Sequence, residues 1–207
     1  MLAAIVAGSA ALLAVGAMRV KEWTVMTDEL LYAKLAEHIA DTGSPLPVLH
    51  DQHVGFLGVV YPIVLAPFYG SLDPVAAFDA GHAVNVVLFA STAIPVFLLA
   101  RRIVPRECAL VVALLSIAIP WAVNTATLMS ESAAYPAFAW AVLACHGALA
   151  EPSPRRDAVA IAALALAFFT RPQFLVLAAL LPLGALVVDG PRRAFERHRV
   201  EIGRAHV

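Results

Sequence analysis

The sequence predicts an all-α fold, a polytopic transmembrane bundle of about six spans with a short amphipathic helix and interfacial helices in its first outer loop. Three observations predict it. Hydrophobic residues make up 61% of the 207 residues and charged ones 14%, against about 45–50% and about 25% in soluble domains. The apolar residues come in long runs divided by short polar joints, and the mean hydropathy is +0.83. The basic residues collect in alternate joints, as they do where cytoplasmic loops carry the excess of Lys and Arg.

Composition also excludes some functions. The basic residues form small clusters between apolar segments without interleaved aromatics, so no nucleic-acid partner is expected. Cys108 and Cys145 each fall inside an apolar run and read as small packing residues rather than a disulfide or metal pair.

Residues 2–18 form the first apolar run, within the range of about 17–25 residues that crosses a hydrocarbon core. A signal peptide is the rival reading. Against it stand the absence of basic residues at the start and the presence of Arg19 and Lys21 just after the run. Residues 20–53 carry Glu22, Asp28, Glu29, Glu37, Asp41 and Asp51 and belong in water.

Inside that loop, TDELLYAKLAEHIADTG (27–43) reads as a helix. Thr27 is placed as N-cap, Asp28 and Glu29 lie in the first turn, and Thr42-Gly43 before Pro45 and Pro47 ends it. At about 100° per residue, Leu31, Tyr32, Leu35 and Ile39 surround the direction of Asp28, whereas Lys34, Glu37 and Asp41 lie opposite. Asp28 is therefore expected to face inward. Glu29 falls on an alanine shoulder with Ala33, Ala36 and Ala40.

Residues 54–70 are apolar but interrupted by glycines, Pro62 and Pro67, which predicts short helices at the interface anchored by Tyr61 and Tyr69. His50, Asp51 and His53 match no strong metal motif and read as exposed loop. From Pro74 the runs are regular, at about 76–100, 108–123, 132–150, 158–170 and 173–188. The fifth of the six spans, about thirteen residues at ~1.5 Å each, covers roughly 20 Å of a ~30 Å core. Its turn at Arg171-Pro172 then lies below the surface, or the last two runs dip without crossing. Asp79, His82 and Asn85 recur at intervals of three and predict a polar seam facing the bundle interior.

Arg101, Arg102, Arg106, Arg155, Arg156 and the arginines after the last run share one side, which the positive-inside rule makes cytoplasmic. The N-terminus is then cytoplasmic as well. Loop 20–70, joint 124–131 and turn 170–173 face outward. Asp28 and Glu131 reach the same face, where two acids suit general-base work or divalent-metal binding. Each also has a plain structural explanation, since first-turn acids complement the helix dipole, with Ser130 as the cap before Glu131. An inward-facing carboxylate is costly unless paired, which favours function for Asp28. Arg171 suits either snorkelling to the interface or recognition of a phosphate.

These residues resemble the GT-C superfamily of polytopic glycosyltransferases that use polyprenyl-phosphate sugars, including protein O-mannosyltransferases and aminoarabinose transferases. The resemblance rests on the outer pair Asp28-Glu29, the following YAKLAEHIADTG and the YP-containing segment at Tyr61-Pro62. It continues in LLARRIVP (98–105), in SES with the YP after it (130–136), and in TRPQ (170–173). It implies a plasma-membrane enzyme moving a sugar from a polyprenyl-phosphate donor to an acceptor of unspecified identity on the outer face. Asp28, with Glu29 beside it, would be the essential acid of the first outer loop. Glu131, Arg171, Tyr61 and His82 complete the candidate substrate-binding set. A divalent cation would neutralise the leaving phosphate, held by Asp28 and Glu131, though the sequence does not require one.

The last residues, EIGRAHV (201–207), resemble the translation of a sequencing adapter. On that reading residues 1–200 are a truncated membrane module that is not expected to be active alone, and the tail is set aside. The rival from another class is a non-enzymatic transporter or assembly scaffold. Transporters tend to show paired interrupted spans in corresponding halves, and no internal repeat is found here.

Overall fold

The structure is a computed structural model that describes residues 1–22, 27–49, 52–55, 58–179, 182–184, 186–187 and 190. It is helical apart from one short hairpin. Helix α1 (Leu2–Ala17) is followed by a tight turn in which Arg19 N–H donates to the Gly16 carbonyl. Lys21 then bonds both Asp79 carboxylate oxygens, at 2.9 and 2.8 Å, which ties the end of α1 to the second turn of α4.

Helix α2 (Thr27–Thr42) ends where expected. Gly43 adopts φ 71° and donates to the Ile39 carbonyl at 2.8 Å, a left-handed stop that glycine allows without a Cβ penalty. Strands β1 (Val48–Leu49) and β2 (Gln52–His53) pair antiparallel over two residues each. Helix α3 (Val60–Tyr69) follows.

Helix α4 (Pro74–Ser91) opens on Asp73, whose carboxylate accepts from Val75 and Ala76 N–H while Pro74 takes the first helical position. It runs on through α5 (Ala93–Ala100) to make an apolar helix of 27 residues. Helix α6 (Arg106–Ile117) leads into a 3-10 segment, Pro120–Ala126, bent 55° away from it. Helix α7 (Glu131–Ala150) and helix α8 (Pro154–Thr170) then run back to back, and a second 3-10 segment, Pro172–Ala179, closes the described core.

By length and composition, Pro74–Ala100 and Glu131–Ala150 can each cross a membrane, and α6 with its bent continuation is a third if the pair forms one span. Leu2–Ala17, Val60–Tyr69 and Pro172–Gly184 are apolar but shorter. Two or three crossing helices among the described residues are fewer than six apolar runs. Composition runs straight through the break before Pro120, and the break before Pro172, which the sequence does mark, leaves the segments on either side short. Ile119 before Pro120 is extended (φ −115°, ψ 154°), as is Arg171 before Pro172 (φ −151°, ψ 111°), because proline crowds its predecessor out of the helical region.

Packing is dominated by α7 against α8 and α2 against α3, with α4 between α1, α3 and α7. The α7–α8 seam is built from Ala137, Ala141, Ala167, Cys145, Ala148 and Ala160, small residues that let the backbones approach closely. Cys145 is buried there as a packing residue, whereas Cys108 is exposed. Helix α3 buries Tyr61, Pro62, Leu65 and Ala66 in a cluster with Tyr32 and Ala36 of α2. Tyr61 is thus a core residue and not an exposed anchor.

The buried face of α2 is Glu29, Tyr32, Ala33, Leu35 and Ala36. Asp28 is exposed, which corrects the expectation that it faces inward. The expectation centred the inner face on the leucines, but α3 sits on the alanine side, where small side chains permit contact. A Cβ added at Gly70 would lie 3.0 Å from Ala40 Cβ.

Candidate functional site

Four segments meet at one end of the bundle: the first turns of α2, the N-terminal half of α4, the joint before α7 and the turn after α8. The joint is held from two sides. Glu29, 1% exposed, accepts the Leu128 N–H on Oε1 at 2.8 Å. One turn on, the Tyr32 hydroxyl donates to Ser130 Oγ at 2.9 Å. From α4, Asn85 Nδ2 donates to the Thr127 carbonyl at 2.6 Å, while its Oδ1 accepts from the Tyr61 hydroxyl at 2.8 Å. Leu128 is wholly buried against Gly81, where a Cβ would stand 2.5 Å from Leu128 Cδ2.

Glu131 opens α7 and Arg171 follows α8, and Arg171 Nη1 pairs with Glu131 Oε1 at 2.6 Å. Glu131 is 8% exposed, and its Oε2 is buried with no hydrogen-bond partner among the described residues. The Arg171 side chain keeps 32% of its surface open. The segment leading into α3 closes on the same turn, since a Cβ at Gly58 would fall 1.9 Å from the Thr170 carbonyl oxygen. Residues 127 and 128 meet α4 at Asn85 and Gly81, about 10–16 Å along the helix from Pro74 at ~1.5 Å per residue.

A cleft of about 760 Å³ is lined by Leu46, Pro47, Val59, Phe168, Phe169 and Pro172, among others, and neither Glu131 nor Arg171 is part of its wall. Its wall is almost entirely apolar, and it reaches the chain on both sides of Arg171.

The electrostatics centre on Tyr32. Burial raises its pKa. The Ser130 hydrogen bond lowers it, the Glu131 charge raises it, Arg171 lowers it and Asp28 raises it. Asp28, although exposed, is therefore close enough to act on the same hydroxyl as Glu131 and Arg171. Burial pushes Tyr61 well above the usual phenol value, against the Asn85 hydrogen bond. Tyr69 is pushed up to about 12, by burial first and then by the charges of Glu37 and Glu29. Each of these phenols stays protonated at neutral pH.

The residues picked out by sequence are partly brought together. Glu29, Glu131 and Arg171 converge and Asp28 stands on the rim. Tyr61 supports the joint through Asn85. His82 lies between Gly81 and Asn85 on α4 and is fully buried, edge-on to Phe78 at 4.4 Å, with no hydrogen bond to either ring nitrogen among the described residues. Asp79 leaves the expected seam for Lys21. His50, Asp51 and the 201–207 tail lie outside the described residues, as does the His53 side chain.

Among the described residues no three His, Cys, Asp or Glu side chains are grouped to hold a metal ion. Asp28 and Glu131 thus have no third donor with them. Sequence reasoning missed Tyr32 and took Ser130 for a cap. Ser130 makes no cap hydrogen bond, and its hydroxyl serves Tyr32 instead.

The family described as dolichyl-phosphate-mannose-protein mannosyltransferase matches residues 77–203, more than half of the chain. The matched stretch contains His82, Asn85, Glu131 and Arg171 and begins after α3, so α2 joins this site by geometry rather than by the match. No curated protein and no solved structure matches the chain. With long apolar helices, a buried polar cluster and this match along most of its length, the chain belongs to the dolichyl-phosphate-mannose-protein mannosyltransferase family of GT-C glycosyltransferases.

Proposed function

We propose that this site moves a sugar from a polyprenyl-phosphate donor to an acceptor hydroxyl on the outer face of a plasma membrane. The observation that carries this reading is the Glu131–Arg171 pair on a chain segment whose neighbours in sequence, Phe169 and Pro172, line an apolar cleft. A polyprenyl phosphate has an anionic head and an apolar tail, and the pair and the cleft offer one surface for each. Glu131 uses one guanidinium N–H and holds the fork in place, which leaves donors on the open side of Arg171 for phosphate oxygens. Glu131 Oε2, buried and unpartnered among the described residues, is suited to accept from a sugar hydroxyl.

Asp28 is the proton acceptor in this proposal. It takes the proton from the acceptor hydroxyl as the new bond to the sugar carbon forms and the bond to the phosphate oxygen breaks, releasing polyprenyl phosphate. The short helices and broken segments fill out six crossings, with the N-terminus cytoplasmic and the α2–α3 loop outside, in line with the arginine distribution.

The test is release of polyprenyl phosphate from polyprenyl-phosphate-mannose by the chain in proteoliposomes, followed for Asp28→Asn. A loss of about 10²–10⁴-fold in kcat is expected of a missing general base. A well-folded variant with wild-type turnover would sink the assignment. A second reading, a non-enzymatic transporter or scaffold, draws on the exposure of Asp28. Donor turnover above background excludes it.

A further inference from the structure

We propose that the two adjacent acids of α2 divide their work, and that Glu29 is a positioning residue that sets the Glu131–Arg171 pair through the joint before α7. The inference rests on the reading of that pair as the donor-phosphate site.

Within the joint the Thr127 and Met129 N–H groups meet the Asn124 and Thr127 carbonyls, but the Leu128 N–H between them turns to a side chain. Thr127 is extended (φ −134°, ψ 146°) and caps the 3-10 segment, so the Leu128 N–H that follows has no helical carbonyl to meet. A buried N–H without an acceptor is costly, and Glu29 supplies one from a helix distant in sequence. Tyr32 follows Glu29 by three residues and lies on the same buried face, and Ser130 follows Leu128 by two. Two holds spaced in this way fix the joint in both translation and rotation. Asn85 adds a third from α4, and Gly81 admits the Leu128 side chain. The next residue after Ser130 is Glu131, which carries Arg171. A shift at Leu128 is therefore passed to the guanidinium within three residues, without Glu29 touching the donor.

A positioning role and a charge role differ in what they require of residue 29. Holding the Leu128 N–H needs an oxygen at the right reach. Acting as a base or a metal ligand needs the negative charge. Glu29→Gln keeps the reach and an acceptor oxygen but removes the charge. Glu29→Asp keeps the charge but withdraws it by one methylene, about 1.5 Å, beyond hydrogen-bond distance of the same N–H.

The experiment uses the full chain in nanodiscs, with backbone hydrogen exchange in the peptide covering residues 127–131 and donor kinetics with polyprenyl-phosphate-mannose. Glu29→Gln is expected to keep exchange and KM within about threefold of wild type. Glu29→Asp is expected to raise both by about tenfold or more, the size expected for one charge-assisted hydrogen bond, with kcat held within about threefold. The reverse order, an active Asp variant and an inactive Gln variant, overturns the proposal, and so does unchanged exchange in Glu29→Asp. If Glu29→Asp does not fold, the near-isosteric Glu29→Gln decides alone. Normal exchange and KM support the proposal, and a rise in either overturns it. A wild-type chain that does not turn over the donor counts against the proposed function, while the exchange measurement still reads the hold on Leu128.

Discussion

Glu131 and Arg171 meet at 2.6 Å where α7 begins and α8 ends, and the carboxylate is the more deeply buried of the two. Removing one partner of a fully buried pair costs about 3–5 kcal/mol, and a partly open pair costs less. Glu131→Gln and Arg171→Ala are each expected to destabilise the chain by about 1–3 kcal/mol. Together they should fall short of additivity by about 1 kcal/mol or more. Chemical unfolding of the double-mutant cycle in detergent measures it, and strict additivity would show that the two side chains do not act as a pair.

Gly58 touches backbone rather than a movable side chain. With a Cβ placed 1.9 Å from the Thr170 oxygen, Gly58→Ala must push the loop off the end of α8. A loss of about 1–3 kcal/mol is expected, as for overpacking elsewhere, with faster proteolysis in the 45–59 loop. Gly81→Ala meets only the end of the Leu128 side chain and is expected to cost less.

Leu46 lies on the wall of the cleft with 60% of its surface exposed, so a larger side chain there leaves the core untouched. Leu46→Trp is expected to raise KM for a long-chain polyprenyl donor by about three- to tenfold, since one or two buried methylenes are worth about 0.8 kcal/mol each. A water-soluble short-chain analogue should be unaffected. Equal changes for both donors would place the tail elsewhere.

Tyr69 ties stability to alkaline pH. Its folded pKa of about 12 lies above the ordinary value of 10.0, so the folded state holds the proton more tightly than the unfolded chain. That contribution is complete below about pH 10 and is lost as pH rises toward about 12. Unfolding measured from pH 8 to 11.5 should show falling stability above pH 10, with a shallower fall in Tyr69→Phe. Parallel curves would show that Tyr69 does not couple to folding.

Much of this arrangement was legible in the sequence. The helix at 27–42 was marked by first-turn acids and a terminal glycine, and its stop at Gly43 follows from local chemistry alone. The meeting of the outer loop, joint 124–131 and turn 170–173 followed from counting apolar runs and placing arginines on alternate joints. What could not be read was rotation and interruption. Hydrophobicity ranks leucine above alanine, so the wheel centred the inner face near Leu31 and Asp28, whereas α2 is turned toward Ala33 and Ala36, which keeps Tyr32 and Leu35 buried and carries Glu29 inside with them. Ser130 carried no mark of its bond to Tyr32, because a serine before a helix is the ordinary sign of a cap. The apolar run at 108–123 concealed the break that the geometry before Pro120 reveals, whereas the turn at Arg171-Pro172 was already marked by the short run before it.

A helix bent by 55° at Pro120 does not enter hydrocarbon as one rod. The bend strips partners from nearby carbonyls, and in lipid every such group must be satisfied by protein. A hydroxyl of α7 does this, Tyr135 donating at 3.0 Å to the Ser116 carbonyl, which Pro120, having no N–H, cannot serve. Insertion of α6 is thus expected to stay incomplete until α7 has been synthesised and docked, so that nascent chains ending before Tyr135 leave residues 106–126 open to protease and longer ones do not.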